Sequence, residues 1–258
     1  MKRPVARTTA AVTEVVGAVH EAIEEISASA GRRPHKPAKG HKDGRSARWA
    51  EHRAARRAEL IEAAMAAIRE HGPTVGMDQI ARAAKTSKPV IYRYFTDKAD
   101  LYRAIVAQTA GTLLQRIVAA LDGVSDPHDE MAAGVQAFLS MLDEDPDLYR
   151  FAVSHPVDDS DDVVRDYQST IAEIITQRLR GHLTAHGRDP AAARPWGIAT
   201  VGFLRAAGDW WIDHREDMSR EQLGDYLTAL LWGGAAGVYA MGGVELDNRP
   251  PEYLFPKL

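Results

Sequence analysis

The sequence predicts an all-α protein with a small three-helix domain near the N-terminus and a larger helical domain after it. Apolar side chains recur every three to four residues in nearly every segment, which is typical of helices that bury one face. No alternating apolar pattern is long enough for a strand, and no internal repeat is found. At 258 residues, 45% of them hydrophobic, the chain is long enough for one large domain or two small ones.

The composition narrows the classes of function. Because the chain has no cysteine, disulfides and thiolate metal sites are excluded. The basic start, MKRPVARTTA, is not followed by an apolar signal segment, so we expect a cytoplasmic protein. Residues 1–105 hold 20 Lys and Arg against 12 Asp and Glu, whereas residues 106–258 hold 12 against 24. A basic N-terminal part on an acidic body is expected of a protein that presents one end to a polyanion.

The N-terminal extension, residues 1–46, contains a predicted amphipathic helix at 8–29, with valines and isoleucines opposite glutamates. This helix either docks on the body, frays in solution, or adds a dimer or DNA-facing element. Residues 31–48 combine Gly and Pro with seven Lys and Arg against one acid, which predicts a flexible arm. The arm is either a linker or a DNA contact that includes Arg45 and Arg48.

A long helix is predicted at 47–71, followed by two short helices joined by a tight turn. The long helix has an apolar stripe at Leu60, Ile61, Ala64, Met65 and Ile68. Gly72 and Pro73 end it, because glycine favours the position after a helix and proline cannot continue one. The first short helix spans 77–84, and the segment Lys85-Thr86-Ser87 interrupts its pattern.

The second short helix has a face that suits the DNA major groove. Ser87 is a good N-cap, and Pro89 falls in the first turn, where its missing N–H costs nothing. Ile91 and Phe95 are four residues apart and are expected to share the buried face. The remaining positions combine hydroxyls, aromatics and cations, namely Thr86, Lys88, Val90, Tyr92, Arg93 and Tyr94.

The stretch IARAAKTSKPVIYRYFTDKADLY resembles the helix-turn-helix motif of the TetR family of bacterial transcriptional regulators. The matching residues are Ile80-Ala81, Ala84, Ser87, Ile91-Tyr92, Tyr94-Phe95, Lys98 and Leu101. The sequence departs from the family at Lys85, where glycine is frequent, and at Tyr94, where histidine is frequent. The resemblance implies a helix-turn-helix DNA-binding domain at 47–96 and an effector-binding and dimerisation domain at 97–244, before an irregular tail at 245–258.

In this domain and at the start of the next one we expect two groups of DNA contacts. Lys88, Tyr92, Tyr94 and Lys98 are expected to contact phosphates. Thr86, Ser87, Val90 and Arg93 are expected to lie nearest the base edges. Basic arms beside a helix-turn-helix often follow the backbone or enter the minor groove, which is the role considered for Arg45 and Arg48.

The second domain is predicted to consist of six further helices. They are expected at 97–121 with Asp97 as N-cap, 129–142, 146–151, from the acidic loop 158–162 to 184, 191–214 and 219–241. Eight residues on these helices could line a ligand pocket: Phe138, Leu142, Tyr149, Phe151, His155, Tyr167, Phe203 and Trp210. Each could equally fill an ordinary core. The family resemblance implies an effector cavity, and the scarcity of basic residues favours a hydrophobic effector, with an acyl chain as the first candidate.

Residues 226–244 form an uncharged run of membrane-spanning length, but five glycines, four alanines and acidic flanks argue against insertion, so we expect no membrane partner. Small residues at every fourth position would let another helix approach closely. In the TetR family the last two helices pair with those of a second subunit, which implies a homodimer that reads a pseudo-palindromic operator. The expected interface residues are Leu223, Leu227, Leu230, Gly233, Gly237 and Val238.

No sequence feature supports an enzyme, and we expect no cofactor. The chain has no glycine-rich phosphate loop and no nucleophile elbow. His182 and His186 have the spacing of a two-histidine metal site, but we interpret them as surface histidines and expect no metal. The sequence therefore predicts a repressor that binds an operator as a homodimer and is released by a small hydrophobic effector. The alternative is a helical lipid- or drug-binding protein whose helix-turn-helix makes protein contacts.

Overall fold

The computed structural model describes residues 44–154 and 160–241, with side chains described over 48–153 and 164–234. These residues form helices joined by short turns, without a strand among them, so the all-α prediction is confirmed. The predicted helix at 8–29, most of the basic arm, His155 and the tail at 245–258 lie outside the described residues.

Nine α-helices make up this part of the chain. In order they are α1 (Gly44–His71), α2 (Met77–Ala83), α3 (Lys88–Ile91), α4 (Lys98–Leu121), α5 (Pro127–Glu144), α6 (Pro146–Ser154), α7 (Ser160–Ala185), α8 (Ala193–Trp211) and α9 (Arg220–Met241). A 3₁₀ turn at Pro190–Ala192 leads into α8.

The helix ends follow local signals in the sequence. Gly72, Gly123 and Gly187 follow α1, α4 and α7 with positive φ angles of 84°, 75° and 68°, a conformation that glycine adopts without strain. Several boundaries differ from the prediction: α5 spans Pro127–Glu144 where 129–142 was expected, α6 extends past 151 to Ser154, and α8 ends at Trp211 before the expected 214. The start of α1 also differs. Because α1 begins at Gly44, residues 44–48 are helical and do not belong to a flexible arm. Between residues 45 and 71 the chain is rich in Ala, Arg and Glu and has no proline, so the helix extends further upstream than its apolar stripe.

The described residues divide into two compact units. The first contains residues 44–111, 147–154 and 160–166, and the second contains 112–146 and 167–241. The division falls inside α4, downstream of the domain boundary expected at 96/97. Residues 98–111 of this helix belong to the first unit and residues 112–121 to the second.

The core of the first unit joins the helix-turn-helix to α1 and α4. Its most buried large side chains include Leu60, Ile68, Ile80, Ile91, Phe95, Leu101, Tyr102, Ile105 and Phe151. The Tyr102 hydroxyl donates a hydrogen bond to the Val75 carbonyl at 3.1 Å, and its ring meets Phe151 edge-on at 4.9 Å between centroids. The connection between α1 and α2 is therefore attached directly to α4.

In the second unit, glycines mark the closest helix contacts. A Cβ at Gly197 of α8 would lie 2.6 Å from the Ala172 carbonyl oxygen of α7. One at Gly208 would lie 2.6 Å from Leu142, and one at Gly224 of α9 would meet Gln136 of α5. A larger residue at Gly197 would meet backbone and force α7 and α8 apart, whereas at Gly208 and Gly224 the facing side chains would have to move.

α4 is the one helix among the described residues that is long and apolar enough to cross a membrane by length and composition. Of its most apolar window, 44% is buried inside the protein, and core helices commonly pass the same test. Leu101, Ile105 and Leu114 are fully buried, which accounts for the apolar character of this helix through packing.

Candidate nucleic-acid interface

The turn between α2 and α3 is closed by backbone hydrogen bonds and one unusual backbone angle. The N–H of Thr86 donates to the Ala81 carbonyl at 2.9 Å, and that of Lys85 donates to the Arg82 carbonyl at 3.0 Å. Lys85 has a φ of +48°, the only positive φ among the described residues other than glycine. The left-handed conformation explains why glycine suits this position, and it shows that lysine can form the turn at some cost in strain.

α3 is short and is held by two buried side chains. Ser87 occupies the predicted N-cap position in an extended conformation, but its side chain makes no capping hydrogen bond. Pro89 lies in the first turn, as the sequence predicts. Ile91 is 0% and Phe95 1% exposed, which confirms their predicted burial. With these two residues facing inward, Ser87, Tyr92 and Arg93 are exposed and Thr86, Lys88, Val90 and Tyr94 are partly buried.

Two arginines of α1 hold the C-terminal end of α3 and the turn that follows it. Arg53 Nη2 donates to the Arg93 carbonyl at 3.2 Å, where the backbone leaves the helix. Arg57 Nη2 donates to Asp100 Oδ1 at 3.1 Å, and its guanidinium lies 4.6 Å from the centroid of the Phe95 ring. Sequence reasoning missed these contacts because they join residues about forty positions apart.

Asp100 connects Arg57 to the turn between α3 and α4. Its Oδ2 accepts hydrogen bonds from the Thr96 N–H at 2.9 Å and the Thr96 hydroxyl at 3.2 Å. The Asp100 N–H in turn donates to Asp97 Oδ1 at 2.7 Å, which agrees with the predicted cap. The Arg57 and Asp100 side chains are 27% and 13% exposed, so this ion pair is better shielded from water than a surface pair.

Two other cations near α3, Lys88 and Lys98, each contact a nearby side chain. Lys88 Nζ lies 2.8 Å from Asp78 Oδ2, with side-chain exposures of 43% and 70%. Lys98 Nζ lies 4.7 Å from the centroid of the Tyr102 ring. The exposed ion pair of Lys88 contributes little to stability, so this ammonium could bind an anion at small cost. The Lys98 ammonium would have to leave the ring of the buried Tyr102 to do the same. Arg48 on α1 is also exposed, and the side chain of Arg45 lies outside the described residues.

The predicted ligand residues fall in both units. Phe138 and Leu142 of α5 are buried in the second unit and lie against Gly208, whereas Tyr149 and Phe151 belong to the first. Tyr167 is buried, Phe203 is partly buried, and Trp210 is 46% exposed and stacks on His214 at 4.5 Å. A shared pocket for these residues stays a prediction.

The predicted dimer residues lie on two different faces of α9. Leu223 and Leu227 are 6% and 5% exposed and are therefore covered by their own unit, contrary to the placement expected beside the dimer seam. The neighbouring Gly224 approaches Gln136 of α5, which explains this burial. Leu230 is 64% exposed and Gly233 is also exposed. The side-chain positions of Gly237 and Val238 lie outside the described residues.

The two histidines considered as metal ligands contact protein groups. His182 is partly buried, with Nε2 at 3.6 Å from Glu130, which also binds Arg178. The exposed His186 places its Nδ1 2.8 Å from the His182 carbonyl oxygen. Only His186 therefore matches the expected surface position. The nearby Asp189 caps the 3₁₀ turn by accepting from the Ala191 N–H at 2.9 Å.

Comparison with known proteins gives two family matches. Residues 60–105 match the family described as bacterial regulatory proteins, tetR family, and residues 116–244 match the tetracyclin repressor-like C-terminal domain. An uncharacterized HTH-type transcriptional regulator of Mycobacterium tuberculosis is 34% identical over 202 residues, which cover 78% of this chain and 86% of the relative.

Two other similarities extend over most of the chain. The transcriptional activator FasR of Mycolicibacterium smegmatis is 24% identical, with 84% of this chain and 98% of the relative covered. The transcriptional regulator FadR from Bacillus subtilis, solved in complex with stearoyl-CoA, superposes with a TM-score of 0.53 at 19% identity. That alignment covers 67% of this chain and 96% of the FadR chain, and at this identity it reports on the fold.

The contact between Arg57 and Asp100 can be tested through stability. Asp100→Ala should lower the free energy of unfolding by about 2 kcal/mol, because it removes the acceptor for Arg57 and for two groups of Thr96. Urea denaturation of Arg57→Ala and of the double variant completes a double-mutant cycle. We expect a coupling free energy of about 1 kcal/mol between the two side chains. Glu62→Ala, at an exposed carboxylate on α1, serves as the control and should change stability by less than about 0.5 kcal/mol. Additive losses would contradict a direct interaction.

Proposed function

The chain belongs to the TetR family of bacterial transcriptional regulators, and from that premise we propose that it is a homodimeric repressor released by a hydrophobic effector. Members of this family are regulators that bind DNA, not enzymes. The observation that carries the proposal is the outward face of α3. That face presents hydroxyls, aromatics and cations while Ile91 and Phe95 hold the helix from behind. The protein is proposed to act in the cytoplasm, where its operator is found.

In the proposed complex, α3 enters the major groove of duplex DNA. Thr86, Ser87, Val90 and Arg93 lie toward base edges, and Tyr92, Tyr94 and the two lysines Lys88 and Lys98 toward phosphates. Lys88 must exchange its exposed partner Asp78 for a phosphate oxygen. The carboxylate of Asp78 lies beside α3 and therefore opposes the binding of DNA phosphates. The proposal can be tested by removing either charge of this pair.

The first experiment selects bound duplexes from a random library with the full chain and then compares two variants on the enriched sequence. Lys88→Gln should weaken binding several-fold and lower the salt dependence by about one phosphate contact. Asp78→Asn should strengthen binding, because Lys88 is released and a repulsive charge is removed. Fluorescence anisotropy between about 50 and 200 mM salt measures both effects.

Opposite effects of the two variants are the required result. Equal effects in the same direction would show that the ion pair acts on folding, and thermal unfolding of both variants provides the control. If the wild-type chain enriched no sequence even at low salt, the alternative of a helical lipid- or drug-binding protein would replace the proposal.

A homodimer is proposed because α8 and α9 expose apolar side chains in the single chain. Ile198, Trp210, Tyr226 and Leu230 are 57%, 46%, 42% and 64% exposed, which is unusual for large apolar residues on packed helices. A two-fold dimer would place its two α3 helices on half-sites about 34 Å apart, one turn of DNA. Of the residues predicted for this interface, Leu230 and Gly233 stay in the proposal, and the buried Leu223 and Leu227 do not.

Leu230→Glu tests the interface. The dimer would bury the new carboxylate without a partner, and this destabilises the dimer. The variant should sediment as a monomer and lose at least about tenfold in affinity for the full operator, because one subunit then binds only one half-site. Thr184→Glu, an equivalent change at an exposed position of α7, should remain a dimer. A dimeric Leu230→Glu variant would exclude this face as the main interface.

The proposed effector is a long-chain acyl thioester. Support comes from the apolar residues of α5 and α8 and from the stearoyl-CoA complex of the structurally similar FadR. Residues 106–258 contain 12 Lys and Arg against 24 Asp and Glu, so this region suits an apolar chain better than an enclosed polyphosphate. The ligand can shift the DNA-binding equilibrium only through its different affinity for the bound and released forms.

Stearoyl-CoA should reduce the affinity of the protein for its selected duplex at least tenfold, whereas CoA alone should leave it unchanged. Anisotropy titrations below the micellar concentration of the thioester, with octanoyl-CoA as a shorter analogue, separate chain recognition from headgroup recognition. No response to any acyl chain would exclude this effector class.

The relative FasR is named as an activator, so in vitro transcription from the selected site decides the sign of regulation, and stimulation by the unliganded protein would overturn repression.

A further inference from the structure

The first described turns of α1 are exposed on every side. From Arg48 to Ala55 each residue is exposed, and Trp49 reaches 70%. The next residues, Arg56 and Arg57, are partly buried, and complete burial begins at Leu60. Two turns of helix thus extend beyond the described core of the first unit, with a large aromatic side chain among them.

The arrangement of charges gives this segment one distinct face. Positions 49, 52, 53 and 56 follow the i, i+3, i+4, i+7 spacing of a single helical stripe, which contains Trp49, His52, Arg53 and Arg56. Glu51, Ala54 and Ala55 fall on the opposite side of the helix. A stripe that on most helices would face the core is here cationic and aromatic.

A hydrogen bond within the first unit places the stripe next to the end of α3. Arg53 donates to the Arg93 carbonyl immediately after α3. Trp49 lies one turn before Arg53 on the same face, at a rise of about 6 Å along the helix axis. The stripe therefore continues the proposed DNA-binding surface outward from the end of α3.

We propose that this stripe binds the sugar-phosphate backbone of the duplex that flanks each operator half-site. The inference rests on the proposed function. Arg53 supplies positive charge while it holds the Arg93 carbonyl, and Arg56 does so by exchanging its exposed partner Glu59 for a phosphate. The indole of Trp49 covers the apolar edge of a deoxyribose, and its N–H donates to a phosphate oxygen. Because these are backbone groups, the stripe adds affinity and not sequence preference.

Charge and composition favour duplex DNA over other partners. A protein partner of ordinary kind would require a contiguous apolar patch, but Trp49 is the one large apolar residue in the stripe. A membrane surface would require an apolar face opposite the cations, where this helix has Glu51, Ala54 and Ala55. Positions 49 to 56 of the stripe contain no acid, and the one acid paired with it, Glu59, lies 2.5 Å from Arg56 with a side chain that is 62% exposed. The stripe is therefore a cationic surface of the kind that complements a phosphate backbone, provided that Arg56 exchanges this exposed partner.

The test compares two duplexes that share the library-selected operator. One ends at the outer edge of each half-site and the other continues for about six base pairs on both sides. The wild-type full chain should bind the longer duplex several-fold more tightly. Trp49→Ala should lose about three- to tenfold on the longer duplex and less than twofold on the shorter one, while Trp49→Phe retains most of the difference.

Glu51→Ala, on the opposite face of the same helix, is the matched control and should preserve the effect of duplex length. Equal losses on both duplexes, or no loss with Trp49→Ala, would overturn the proposal. So would a change in sedimentation or thermal midpoint without a length effect, because Trp49 would then pack on protein. If the wild-type chain binds neither duplex, the proposed function fails. If it binds both equally, only this inference fails.

Discussion

The placement of α3 depends on the burial of Ile91 and Phe95 against the first unit. A helix of four residues, Lys88–Ile91, cannot persist alone, because nucleation fixes several residues for a single hydrogen bond. The two apolar side chains supply the missing stability, and Arg53 and Arg57 bind the backbone and side-chain groups that follow. The outward residues are consequently presented by a surface that tertiary contacts have fixed before any ligand arrives.

The charged groups around α3 therefore divide into two kinds. The better shielded pair, Arg57 and Asp100, has several partners and holds the turn between α3 and α4. Lys88 and Lys98 have contacts outside this network, with Asp78 and the Tyr102 ring, and these are proposed to be exchanged for phosphates. The net charge of this region does not distinguish the two groups. The Arg57 group positions the surface, and the lysines are the charges proposed to bind DNA. This division explains how so basic a segment can be ordered and still attract a polyanion.

The elements that sequence could predict are those set by neighbouring residues. Gly72, Ser87, Pro89 and Asp97 marked the limits of helices correctly, and the apolar stripe of α1 identified its buried face. The contacts of Arg53 and Arg57 could not be predicted, because a basic helical face gives no indication of which charges meet carbonyls in distant turns. The burial of Leu223 and Leu227 was missed for a related reason. Two faces of α9 carry apolar residues, and only the approach of Gly224 to Gln136 distinguishes them.

In the proposed mechanism, the start of α4 is where an effector could influence α3. The Asp97 cap and the Asp100 carboxylate belong to the turn that holds Thr96, so α3 and α4 share these hydrogen bonds. α4 then continues without interruption from the first compact unit into the second. A displacement of its first turn would have to break the Arg57 contact or carry α3 with it. The free-energy coupling between effector binding and DNA binding is therefore limited by the strength of these contacts. A ligand with equal affinity for the DNA-bound and released forms would leave their equilibrium unchanged.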